Sequence, residues 1–126
     1  MAETGNELAE ANAMRESVLT MAVEAWRFGR VFERLLGRLE ASETNRYRSQ
    51  FSWFMKKVDD SLTQAGLRIV NVEGQSFDPG MAATPLNIEE FEASEVLVVD
   101  QMLEPIIMGD EGIVRTGTVT LRKAEQ

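Results

Sequence analysis

The sequence predicts an α+β protein: a long helix and a shorter one forming a helical hairpin over residues 1–66, then a small, mostly antiparallel β-domain over 67–126. Three observations carry this reading. From Glu7 to Ala41 there is no proline, and apolar side chains recur at alternating steps of three and four; a second run with helical spacing ends at Gly66; beyond it the pattern turns to β-branched alternation punctuated by Gly and Pro. A chain of 126 residues suits one compact domain or a helical segment with a small module attached.

The first helix rests on composition and on period. Ala, Leu, Met, Arg and Glu dominate Glu7 to Ala41, all of them good helix formers. Ala11, Met14, Val18, Met21, Ala25, Phe28, Phe32, Leu35 and Leu39 form a heptad stripe that calls for another helix. A second line, Leu19, Ala22, Trp26 and Leu36, widens the apolar face beyond a two-stranded seam. The segment Glu40 to Asn45 breaks the stripe and offers cap residues. Tyr47, Phe51, Phe54, Met55, Val58 and Leu62 then trace a shorter amphipathic helix that Gly66 ends. Two helices alone cannot enclose so many large side chains, so a homodimer is expected, with Met14, Val18, Met21, Phe28, Phe32, Leu35 and Leu39 at its seam. Trp26 and Trp53 are read as core or dimer packing.

The β-domain is read strand by strand. Leu67 to Glu73 alternates and is rich in β-branched residues, and Gly74-Gln-Ser and Asp78-Pro-Gly80 mark turns. Further strands are expected at Glu95 to Met102, near Pro105 to Met108, and from Ile113 to Lys123 with a bulge at Gly117. Gly109-Asp-Glu-Gly112 is a hairpin signal between the last two.

Composition narrows the function. The net charge is −8, with −1 in residues 1–66 and −7 in 67–126, which opposes nonspecific nucleic-acid binding. With no Cys and no His, there is no thiolate, no imidazole base and no common transition-metal ligand, so neither an enzyme nor a cofactor is expected. Glu89, Glu90, Glu92 and Glu95 are acidic but lack the Gly-punctuated Asp/Asn loop of calcium sites, and no metal is assigned to them. The N-terminus lacks the basic and apolar regions of a signal peptide, and no run approaches the roughly 20 apolar residues of a membrane span. A cytoplasmic location without membrane contact is expected.

The order of elements, with the junction Leu62-Thr-Gln-Ala-Gly-Leu-Arg-Ile-Val70, the run Gly74-Gln-Ser-Phe-Asp-Pro79 and the final Ile113-Val-Arg-Thr-Gly-Thr-Val-Thr-Leu121, resembles the GrpE family over roughly residues 20–123. Members of that family are nucleotide exchange factors of DnaK-type chaperones. The resemblance implies a dimer that presses its β-domain against the chaperone ATPase domain and opens the nucleotide cleft so that ADP leaves. It carries Phe77, Pro79, Leu103, Arg115 and Leu121 as partner-contact positions. The chain departs from the family in lacking a His after Asp78-Pro79, in having Ile106-Ile107 where a Gly-aromatic pair is usual, and in carrying an acidic hairpin tip, Asp110-Glu111, where the family has an arginine. The helix before the motifs is also shorter than is usual in the family. A dimeric adaptor of the same fold without exchange activity stands as the alternative.

Overall fold

The computed structural model describes residues 2–124. The chain divides between Ala65 and Gly66 into two compact units. The first holds two helices, α1 (Ala2–Leu36) and α2 (Ala41–Gln64); the second holds six strands, β1 (Arg68–Val70), β2 (Ala83–Pro85), β3 (Leu97–Glu104), β4 (Ile106–Gly109), β5 (Gly112–Arg115) and β6 (Gly117–Lys123).

In the helical unit the two helices run antiparallel: Thr44 reaches back to Leu36, Phe51 meets Phe32 and Gly29, and Leu62 lines a groove with Val18. The turn is short because the Thr44 hydroxyl lies 3.1 Å from the Leu36 carbonyl oxygen and 3.2 Å from that of Leu39 and donates to both, satisfying orphan acceptors at the end of α1. That bond, rather than a side-chain cap on Glu40, lets α2 begin at Ala41, earlier than its first aromatic, Tyr47. At the other end Ala65 donates to Leu62, and Gly66 takes φ +74, a conformation in which a side chain would be strained.

The residues that α2 covers are those of the second line. Leu19, Ala22, Trp26 and Leu36 are buried, together with Gly29, where a Cβ would come within 3.1 Å of the Phe51 ring. From the first stripe, Val18, Ala25, Phe32 and Leu39 are half-buried, whereas Met14, Met21, Phe28 and Leu35 expose 52 to 73 % of their surface. Successive helical residues are set about 100° apart, so the row at 14, 21, 28 and 35 faces well away from the row at 22, 29 and 36. Trp53 is not in the intrachain core: it is 61 % exposed, with the Lys57 ammonium 4.5 Å above its ring.

The β-unit is two three-stranded sheets, ordered β1-β4-β5 and β2-β6-β3. All pairings are antiparallel except β2 with β6. The expected strand over residues 113–123 is in fact two, one in each sheet, because the chain changes sheet at Thr116. Its partner ribbon changes sheet at Pro105, which has no N–H to give a ladder. Where the two ribbons cross, a Cβ on Gly117 would lie 2.7 Å from Ile106 Cγ1 and 2.9 Å from the Glu104 carbonyl oxygen, so only glycine fits. The crossing sits in the core: Val99, Met102, Ile107 and Val119 are fully buried, and each such side chain stabilises the fold by about 1.5–3 kcal/mol. Strand β1 is shorter than the expected Leu67–Glu73, because Asn71 turns the chain by accepting the Glu73 amide at 2.9 Å.

Candidate functional site

Phe77 and Pro79 lie on an arm that begins at Gly74, whose φ is +85. The arm runs antiparallel along the free side of β3: Gly74 donates to Val99, Val99 to Gln75 and Phe77 to Leu97, each at 2.9 Å. Asp78 then closes a turn, accepting the Gly80 amide on Oδ1 at 2.9 Å while its carbonyl accepts from Met81. Glu73 anchors the start of the arm from beneath, its Oε2 accepting the Met102 amide at 2.8 Å.

A second loop faces this arm. Asn87 fixes its start with a pair of hydrogen bonds, its amide donating to the Leu121 carbonyl at 2.9 Å and its Oδ1 accepting the Leu121 N–H at 2.8 Å. The side chain thus takes the place of a strand neighbour for β6, prolonging the β2 pairing after Leu86 has donated to Val119. One 3-10 turn, Ile88–Glu90, follows, then Phe91 to Val96, with Ala124 donating to Val96.

Between arm and loop is an open groove of ≈ 430 Å³, lined by Phe77, Pro79, Ile88, Phe91 and Val96 with Leu97 in its wall. Phe77 and Phe91 are half-buried, Pro79 and Ile88 exposed, and Val96 is 69 % exposed. Glu92 and Glu95 also line it. Glu95 is the better buried of the two; its Oε2 has no hydrogen bond, and the Lys123 ammonium approaches it at 3.6 Å. Between Arg68 and Arg115 the chain carries ten carboxylates and no Lys or Arg, so acidic side chains outnumber Lys123 around this groove.

The other positions expected to contact a partner are placed differently. Leu121 is 3 % exposed in the middle of β6, paired with Val99; its side chain belongs to the core and cannot meet a partner, because strand alternation turns it inward. Leu103 is half-buried at a bulge, where β3 steps from Met102 opposite Val119 to Glu104 opposite Thr118. Arg115 is half-buried on β5 opposite Ile107. Phe77 and Pro79 are therefore together in one groove, and Leu103, Arg115 and Leu121 are outside it. Sequence reading missed Ile88, Phe91 and Val96 as companions of Phe77; the signal was three large apolar residues set among four glutamates in a stretch read only for its charge.

The hairpin tip forms as its glycines indicate: Gly109 pairs with Gly112, and Asp110 and Glu111 are exposed between them. Ile106 and Ile107 are buried core residues. The helical unit has its own open groove of ≈ 350 Å³ between α1 and α2, with Met21, Ala25, Phe54 and Val58 among its lining residues. It adjoins the uncovered row of α1 through Met21.

Among the described residues no group of three acidic side chains converges as a metal site, and no helix is long and apolar enough to cross a membrane. Comparison of the chain with protein-family models, with curated proteins and with solved structures finds no match.

Proposed function

We propose that this chain is a GrpE-like cochaperone: a homodimer, joined through its helices, whose β-unit docks on the ATPase domain of a DnaK-like chaperone and promotes release of ADP. The observation that supports the reading is an arrangement. A helical hairpin with an uncovered heptad row precedes one closed β-unit, in which the Gly74–Pro79 motif and the last strand flank β3 on its two sides.

Such a protein makes and breaks no bond. Binding the open form of the nucleotide cleft more tightly than the closed form raises the open population in proportion to that difference in affinity. The β-unit supplies the rigid surface for this, and the groove holding Phe77 and Pro79 is its docking face. On the helical unit, the row of Met14, Met21, Phe28 and Leu35 and the groove beside Met21 form the seam that a second copy covers.

The test is stopped-flow release of a fluorescent ADP analogue from DnaK-like ATPases of the same source. Acceleration that disappears with Phe77→Ala is the expected result. A stable dimer that accelerates release from none of them would overturn the exchange reading. One observation favours a second reading: the exposed Asp110-Glu111 tip is negative where an exchange factor of this family presents an arginine. A dimeric adaptor whose β-unit binds another protein client keeps every other feature, and is separated from the first by the same assay.

A further inference from the structure

We infer that the groove between the Gly74–Pro79 arm and the Ile88–Val96 loop binds an extended segment of a partner protein in which an apolar side chain is followed or preceded by Lys or Arg. The inference deepens the reading of Phe77 and Pro79 as docking residues and rests on that part of it alone, not on exchange activity.

Three observations fix the chemistry of the occupant. The groove, at ≈ 430 Å³, is roomy enough for more than one apolar side chain, and its walls are Phe77, Ile88, Phe91 and Val96. Two of these, Ile88 and Val96, are exposed at the two ends of the loop and share the groove with the half-buried Phe77 and Phe91, so the apolar surface there is contiguous rather than scattered. The rim is predominantly acidic: Glu92 and Glu95 line it and Glu89 and Glu90 precede it, against one nearby cation, Lys123, which pairs with Glu95 at 3.6 Å.

Glu92 makes the charge preference local rather than diffuse, because its exposed side chain lines the groove itself. Glu95, beside it, has its Oε2 shielded from solvent and without a hydrogen bond, with the ammonium of Lys123, an exposed side chain, 3.6 Å away. An ammonium or guanidinium arriving with the apolar side chain would pair with the exposed Glu92 carboxylate in the groove wall, a charge-assisted bond stronger than a neutral one. An acidic segment would meet repulsion from the rim, and a neutral one would forgo the attraction. Selection thus works through both attraction and exclusion.

The experiment is fluorescence anisotropy of a labelled ten-residue peptide alternating Leu and Lys, titrated with the full chain, beside the counterpart in which every Lys is Glu. The expected result is saturable binding of the Lys peptide, weakening as salt is raised, with no saturation by the Glu peptide. Val96→Lys and Glu92→Lys each change an exposed side chain, so the fold, checked by circular dichroism, is retained; each is expected to weaken binding at least about tenfold. Failure of the Lys peptide to bind, equal binding of the two peptides, or affinity unchanged in folded Val96→Lys would overturn the inference. None of these outcomes involves a chaperone, so they are independent of the ADP-release assay.

Discussion

The two units of this chain treat their apolar residues in opposite ways. In the β-unit, Val72, Val99, Met102, Ile107, Val119 and Leu121 are shut into a core, and the large apolar side chains left outside are few: Leu86, Ile88, Val96 and Ile113. In the helical unit the buried set is Leu19, Ala22, Trp26, Leu36 and Leu62, while Met14, Met21, Phe28, Val31, Leu35, Trp53 and Phe54 remain exposed. A sheet pair closes on itself because alternation sends every second side chain to one interior. Two helices share a single line of contact, and any apolar residue a third of a turn away from it is left in water. The β-unit closes its core within one copy, whereas the helical unit leaves a row of large apolar side chains exposed.

The largest test of this contrast is aimed at the closed core. Ile107→Asp places an unpaired carboxylate among fully buried side chains and is expected to destabilise the β-unit by about 4 kcal/mol or more, read as loss of its cooperative unfolding transition. The helical signal in circular dichroism should persist. If both units melted together the separation drawn at Ala65 would fail.

Next in size is the row proposed as a dimer seam. Met21→Glu combined with Phe28→Glu puts charges on that row while keeping the buried Leu19, Ala22, Trp26 and Leu36, and is expected to raise the dissociation constant of the proposed dimer by about 100-fold or more in sedimentation. An unchanged mass at equal concentration would mean that the row is not where copies meet. Asn87→Ala acts on the β-unit alone: losing the paired bonds to Leu121 should cost about 1–3 kcal/mol in denaturant unfolding, with the helical unit unaffected.

The smallest effect concerns Asp59 on α2. Its carboxyl is held above the ordinary value of 3.8, first by partial burial and then by the neighbouring Asp60 charge. Raised affinity for the proton in the folded state means that ionisation costs stability: the cost is absent below 3.8 and complete once pH exceeds the raised value. Asp59→Asn should therefore raise the thermal midpoint of the helical unit slightly at about pH 7 and leave it unchanged at about pH 3. A midpoint shift of equal size at both values would assign the effect to packing.

What the sequence made legible was local. Helix identity followed from propensity and period, the Gly66 stop from the need for positive φ, and the β4–β5 hairpin from its bounding glycines. What it concealed depended on distant partners. Ala83-Thr84-Pro85 carries no strand signal, yet it pairs in parallel with β6, a strand more than thirty residues away. The heptad stripe was visible, but which of two adjacent lines α2 would cover was not, since that is decided by Gly29 admitting the Phe51 ring. Leu121 illustrates the same limit in a strand: alternation is readable, but which face is inward depends on the sheet it joins. Of the candidate site, Phe77 and Pro79 were legible through a motif, whereas Ile88, Phe91 and Val96 reach it only because Asn87 pins their loop to β6.

The crossing of the two ribbons at Pro105 and Gly117 has a consequence for how the β-unit opens. Each three-stranded sheet takes strands from both ribbons, so neither can peel away without dragging the other through the point where Gly117 lies against Ile106. Amide protons on β4 in one sheet and β6 in the other should accordingly exchange with solvent through the same rare event and show matching protection, as a single cooperative foldon would. The groove borders that unit along β3 and inherits its rigidity. Its two walls are tied to the same unit, the arm through its hydrogen bonds to β3 and the loop through those of Asn87 to β6, so the groove keeps its shape for as long as the sheets stay closed.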